Sequence, residues 1–338
     1  MFAYLVRRLL WAAMLVIAVT VVTYVIFYAI PANPARLACG QRATPQCVQR
    51  AAHFLGTDRP VYVQYAKFLD RLVIHHSLGR SFTNRQSVNS TILNAAPVTA
   101  SLVFGGMLIW LMVAIPIGIL SALRPRSLLD RVTMTFVLIG ISAHPVWIGL
   151  LATYFLGFKA SLFPISGYCN FFNNSGGCGG PVQWAWHMLL PCLTLAVFFA
   201  AMYVRMVRAN VIEALDEDWV RTARAKGASE LWVVRGHVLR NALLPVVTML
   251  GMDVGLAIGS AGFVEIVFGL PGVGRVAIEN LGLVRTIETG NYAPLDLPII
   301  AGAVVVITAT IIVANLAADL LYSWLDPRID PSGEAIKT

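Results

Sequence analysis

The densest run of chemically capable side chains is Asp218-Trp219-Val220-Arg221-Thr222-Ala223-Arg224-Ala225-Lys226-Gly227, followed by Asn241-Ala242-Leu243-Leu244-Pro245. Carboxylate, guanidinium and ammonium groups at this spacing make ion pairs and protein contacts rather than bond-breaking chemistry. From Glu213 to Arg224 the acids come early and Arg221 and Arg224 late, which suits a helix macrodipole and predicts one helix over 213–224. Gly227 breaks it, and Ser229 with Glu230 opens a second helix whose Leu231, Val234 and Val238 face inward. The expected product is a helix–turn–helix bracket displaying charge. On charge alone, a solvated loop obeying the positive-inside rule is the better reading.

Other chemistry-bearing residues are sparse. Asp253 stands in an apolar run beside Gly251, Gly255 and Gly259, where an ionisable group faces either a cavity or a partner on a neighbouring helix. The same glycines suit close helix packing. His144, Pro145 and Trp147 form a cluster that kinks its helix, either as pathway lining or as structure alone. Adjacent His75 and His76 diverge by about 100° on a helix and have no carboxylate three or four residues beyond them, so they read as a solvated pair and not a metal site. Cys39 and Cys47 share one polar segment and Cys169 and Cys178 another, so each pair can close a short disulfide loop or remain as free thiols. Cys192 reads as a small buried hydrophobe. No CxxC spacing marks zinc, and no metal is assigned. Gly269 and Gly274 have P-loop spacing, but Arg275 replaces the lysine and Val276 the hydroxyl residue, so a turn-rich cap accounts for them better than nucleotide binding. Neither HExxH nor a serine–base pair is present.

The elements that must carry these residues are membrane helices. A chain with 58% hydrophobic and 12% charged residues is not an ordinary soluble domain. Runs long enough to cross a bilayer, about 20 residues each, are Leu9–Ile30, Val98–Leu123, Val132–Phe158, His187–Val207, Leu243–Val264 and Leu297–Leu321. The fold class is therefore all-α and polytopic, with six transmembrane helices. The first run exceeds a signal-peptide core of about 7–15 residues and reads as a retained span. The net charge of +8 marks membrane orientation and not nucleic acid. Arg7, Arg8, Arg124, Arg126, Arg131 and seven basic residues from Arg205 to Arg240 fall on one side. That places both termini and the bracket in the cytoplasm. The eight basic residues in 31–97 fall outside, in a segment too long for the rule to govern. The organisation read from this is 1–30 as cytoplasmic end and first span, 31–97 as an external segment, 98–321 as a five-helix core containing loop 208–242, and 322–338 as a cytoplasmic tail. Within the external segment, Phe68, Leu69, Leu72 and Val73 predict a short amphipathic helix entered at Pro60 and left at Gly79.

The ordered set Asp218, Arg221, Thr222, Ala223, Arg224, Ala225, Lys226 and Gly227, then His237, Leu239, Arg240, Asn241 and Leu244-Pro245, resembles the cytoplasmic coupling loop of permease subunits in ATP-binding cassette importers of the peptide/nickel branch. The general importer motif has a glutamate and two alanines before the glycine, and only Ala223 agrees here. Further resemblance lies in Leu55 to Tyr65, in Leu78-Gly79-Arg80-Ser81-Phe82, in Ala143 to Leu150, in Phe268 to Arg275 and in Asp319 to Ile329, covering most of the chain. Residues 32–53 fit poorly and resemble an insertion. The resemblance implies a type I importer permease fold, forming half of a pathway for peptides, with no catalytic residue and no cofactor on this chain. It implies a second homologous permease, two cytoplasmic ATPase subunits or domains holding ATP and Mg, an external substrate-binding protein, surrounding membrane lipid, and a prokaryotic plasma membrane. Arg221, Arg224 and Lys226 would be the charged contacts to the ATPase, beside Asp218 and Thr222, with Ala223, Gly227 and Ala228 allowing close approach. His144, Trp147 and Asp253 are the expected pathway residues. The rival readings are an ion-coupled secondary transporter using Asp253, which lacks visible repeats and further midplane charges, and an importer of nickel chelates.

Overall fold

A computed structural model of the chain describes residues 2–29, 36, 44–55, 60–172, 178–281 and 295–325. All regular elements among them are helices. They are α1 (Phe2–Tyr24, continued by a π-helical turn to Ala29), α2 (Pro45–Leu55), α3 (Val61–Val73), α4 (Val88–Leu123), α5 (Leu128–Ser142), α6 (Pro145–Ala152, continued by π-helix to Lys159) and α7 (Pro181–Asp216). Then come α8 (Asp218–Ala225), α9 (Glu230–Val233), a π-turn (Val234–Val238), α10 (Leu239–Ala242), α11 (Leu244–Val267), α12 (Val273–Glu279) and α13 (Leu297–Leu325). Five helices are individually long and apolar enough to cross a membrane, and the pair α5 and α6 makes a sixth, bent span.

The third apolar run is not one helix with a kink. α5 and α6 meet at 104°. Pro145 excludes the helical conformation from the residue before it, and Ala143 and His144 are both extended, at ψ 118° and 140°. Other boundaries differ by length. α4 begins at Val88 and α7 covers 36 residues, about 54 Å at 1.5 Å per residue, well beyond a hydrocarbon core of about 30 Å. Polar residues at their ends continue the helices because local propensity does not stop where hydropathy does.

The chain divides into two compact units, 1–99 with 271–313, and 100–270 with 314–338. In the first, Val88, Ile92, Ala95, Val273, Ile299 and Ala303 form a buried cluster. α3 packs on α1 through Tyr24, Tyr65 and Phe68, and the Tyr24 hydroxyl donates to Gln64 Oε1 at 2.8 Å. α3 ends at Val73 and not at Gly79: His76 already takes a left-handed φ of 46°, and Gly79, at φ 96°, belongs to the next turn. There Ser81 and the backbone N–H groups of Phe82 and Thr83 all bond to the buried Asp296 carboxylate. The Leu78-Gly79-Arg80-Ser81-Phe82 motif is thereby a structural clasp onto the start of α13. In the glycine-rich stretch, the Val273 N–H at the head of α12 is engaged, donating to Thr99 Oγ1 at 2.9 Å.

The second unit is built around α7. Phe199, Tyr203 and Trp110 stack in its interior, with Trp110 and Phe199 centroids 4.6 Å apart. Cys192 is buried and free. A Cβ at Gly140 would come within 2.8 Å of Ala201, so α5 approaches α7 at backbone range.

Candidate functional site

α7 projects beyond its apolar part and turns a corner at Glu217, which is extended at ψ 146° and serves both as the end of α7 and the start of α8. The single helix expected over 213–224 is therefore two helices. α8 ends in a Schellman closure: Gly227 N–H bonds Arg224 O at 2.9 Å and Ala228 N–H bonds Ala223 O at 3.2 Å. Gly227 occupies the left-handed position at φ 81°, and nothing lies within 4 Å of where its side chain would be. The glycine meets a backbone requirement and leaves open space above it.

The bracket has its own small core. Val220, Val233, Val234 and Val238 are buried, and the His237 ring lies 4.8 Å from Trp232 and 6.1 Å from Trp219. Leu231 does not face inward. It is 63% exposed beside an exposed Trp232, whereas Val234 and Val238 are buried as expected and Val233 joins them.

Asp218, Arg221, Thr222, Arg224, Lys226 and Gly227 are exposed, and Ala223 and Ala228 are half-buried. Arg224 clasps Glu230 through Nε at 2.8 Å and Nη2 at 3.3 Å, tying α8 to α9. Arg221 reaches Asp218 at 3.4 Å. Of the three cations in this run, only Lys226, the neighbour of Gly227 in sequence, is left without an ion pair among the described residues.

Beneath the bracket lies a clasp that sequence reasoning missed. Arg208 on α7 grips Asp130 on α5 through Nε at 2.6 Å and Nη2 at 2.9 Å. Asp130 also accepts from Ser121 Oγ at 2.6 Å and Arg126 N–H at 2.8 Å, and its own N–H donates to the Ser127 cap at 3.2 Å. The carboxylate is buried and every strong donor around it is used. On the return side, Asn210 Nδ2 donates to Ala242 O at 3.2 Å. The root of the bracket is thus bonded to α5 through Arg208 and, at its return end, α10 is bonded to α7 through Asn210. The one sequence signal was Ser127-x-x-Asp130, half of a capping box.

The three expected pathway residues do not form one site. His144 caps α6, its Nδ1 accepting from Val146 N–H at 3.3 Å, and its ring meets Phe263 edge-on at 5.7 Å. Trp147 is 67% exposed. Asp253 is buried on α11, about 15 Å along the axis from Phe263. It faces the Tyr203 hydroxyl on α7, though Asp253 Oδ2 and that hydroxyl stop short of a hydrogen bond. The opposite, exposed face of α11 carries Met249, Met252, Leu256, Gly259, Phe263 and Ile266. Asn315 on α13 is partly buried, and Asp319 lies where side chains are outside the described residues.

At the far end of α7 from the bracket, Cys169 and Cys178 are joined by a disulfide. Cys39 lies outside the described residues, as do residues 326–338.

Comparison with known proteins agrees along the whole length. Residues 114–331 match the model of the binding-protein-dependent transport system inner membrane component, and residues 1–103 match that of its N-terminal region. The dipeptide transport system permease protein DppB of Alkalihalophilus pseudofirmus is 31% identical over 343 residues, covering 97% of this chain and 99% of the relative. The probable D,D-dipeptide transport system permease protein DdpB of Escherichia coli K12 is 33% identical over 352 residues, covering 97% of each. With its bent sixth span, its projecting bracket and this coverage, the chain belongs to the family of inner membrane components of binding-protein-dependent transport systems.

Proposed function

We propose that the chain is one of two permeases forming the pathway of an ATP-driven peptide importer, and that its bracket is the handle gripped by a separate ATPase. The observation that carries this reading is the bracket itself. It is a polar loop closed on its own valine core and tied at its root, where Arg208 joins α7 to α5 and Asn210 joins α7 to α10. ATP and Mg belong to the partner chains, and closure of the ATPases on ATP would pull Gly227 and Lys226 and, through Arg208–Asp130, the helices behind them. The bracket and both termini then face the cytoplasm, in agreement with the distribution of basic residues.

Peptide is the substrate class because the relatives carry peptide names. Pairing with a second permease is supported by α11, whose exposed residues from Met249 to Ile266 recur at alternating spacings of three and four, the seam that a second helix packs against. An external binding protein would deliver peptide to segments before Pro97 and after Glu265.

Affinity purification of the chain in mild detergent, wild type against Gly227→Arg, tests the reading. Wild type should retain ATPase subunits and a second permease. The variant should lose the ATPases and keep the permease, because arginine fills the open space over Gly227 without touching α11. A lone wild-type chain, under conditions where a control importer stays intact, would overturn it.

A further inference from the structure

The corner at the start of α7 brings together three soft ligand atoms that the transport reading does not use. Cys169 Sγ, Cys178 Sγ and a ring nitrogen of His187 all lie within 4.8 Å of one another. His187 Nδ1 is 3.3 Å from Cys169 Sγ. Bond lengths of about 2.3 Å to sulfur and 2.0 Å to nitrogen at a tetrahedral zinc place such ligand atoms about 3.5 Å apart. The histidine is thus already at ligand spacing from one cysteine.

The disulfide is not what holds this corner. Asn170 and Gly179, each the residue after one of the two cysteines, form a parallel bridge, and Gly180 N–H donates to Asn170 O at 3.0 Å. Gly179 N–H donates to Gln183 Oε1 at 2.7 Å, which anchors the same loop to the first turn of α7, where His187 stands one turn further on. None of these hydrogen bonds involves either sulfur.

We propose that Cys169, Cys178 and His187 form a redox-gated site for a borderline-soft divalent cation of the zinc class. While the disulfide stands, the site is closed. A dithiol reductant opens it by exchange: two electrons pass to the cystine, giving two cysteine thiols, and the reductant leaves as its own cyclic disulfide. The cation then binds both sulfurs and displaces their two protons. His187 contributes Nδ1, which in the closed state lies 2.9 Å from Gln183 O. When Nδ1–H donates to that carbonyl, ligation requires the proton to leave Nδ1, with the neutral ring then carrying its proton on Nε2. Two thiolates and one imidazole balance the dication and leave a fourth position for water or an added ligand. Cys169 is buried and Cys178 and His187 are half-buried.

The test uses the full chain in detergent with Co2+ as probe, in oxidised form and after reduction by a phosphine that is then removed. Reduced wild type should bind one Co2+ more than reduced Cys169→Ser/Cys178→Ser, with thiolate-to-cobalt charge-transfer absorption that one equivalent of Zn2+ abolishes. Oxidised wild type should lack that absorption, a control that needs no variant to fold. His187→Ala should weaken the reduced site at least tenfold. Equal cobalt content in reduced wild type and the double variant, or cobalt bound without thiolate absorption, would overturn the proposal. None of these outcomes depends on the bracket binding an ATPase.

Discussion

Two arginine–carboxylate pairs stand on the same arm of the molecule and do different work. Arg224–Glu230 closes the bracket with side chains 41% and 66% exposed, whereas Arg208–Asp130 sits at its root with side chains 25% and 6% exposed. Both are bidentate and of similar length. The difference is solvent: water screens the first pair and competes for its partners, and the second can be broken only by stranding a buried charge. The upper pair leaves the tip adjustable to a partner. The lower one makes the root rigid.

The largest effect should come from Asp130→Ala, which strands Arg208 and the Ser121 hydroxyl. About 3–5 kcal/mol of stability should be lost, as for other buried pairs deprived of one partner, seen as a large fall in the detergent melting temperature. The double change Asp130→Leu/Arg208→Met should recover most of that stability, since neither charge is then stranded, while loosening the bracket from α5. A bulky residue at Gly251 sharpens the contrast with packing. A Cβ there would overlap that of Ala318, so Gly251→Val should cost about 1–3 kcal/mol by overpacking, with little sensitivity to salt. Gly227→Ala meets open space but keeps a left-handed φ of 81°, and a loss of about 1–2 kcal/mol, local to the bracket, should appear as faster amide exchange at Gly227 and Ala228. Arg224→Gln should be the mildest, about 0.2–1 kcal/mol and vanishing in high salt. If Arg224→Gln proves as damaging as Asp130→Ala, the distinction between tip and root fails.

The six apolar runs and the glycine-closed bracket were legible in the sequence because they depend on local composition and on one backbone requirement. The root clasp was not. Asp130 and Arg208 are 78 residues apart, and each alone looks like ordinary polar flanking of a span. Ser127-x-x-Asp130 announced a helix cap, and in the fold the carboxylate turns instead to Arg208, Ser121 and Arg126. Of the three apolar residues expected to line the bracket, Val234 and Val238 are buried and Leu231 is exposed, with Val233 taking the inward place. His144, Trp147 and Asp253 share rarity within apolar runs, but rarity does not put residues together. Asp253 turns toward Tyr203 and His144 toward Phe263.

The central claim is that the bracket end of α7, and not its cysteine end, meets the ATPase. A photo-crosslinking amino acid placed at Lys226 and, separately, at the exposed Val182 of the same helix, in membranes containing the whole transporter, tests it most directly. The account predicts an ATPase adduct from position 226 and none from position 182. Adducts from 182, or none from 226 while the transporter remains assembled, would contradict it.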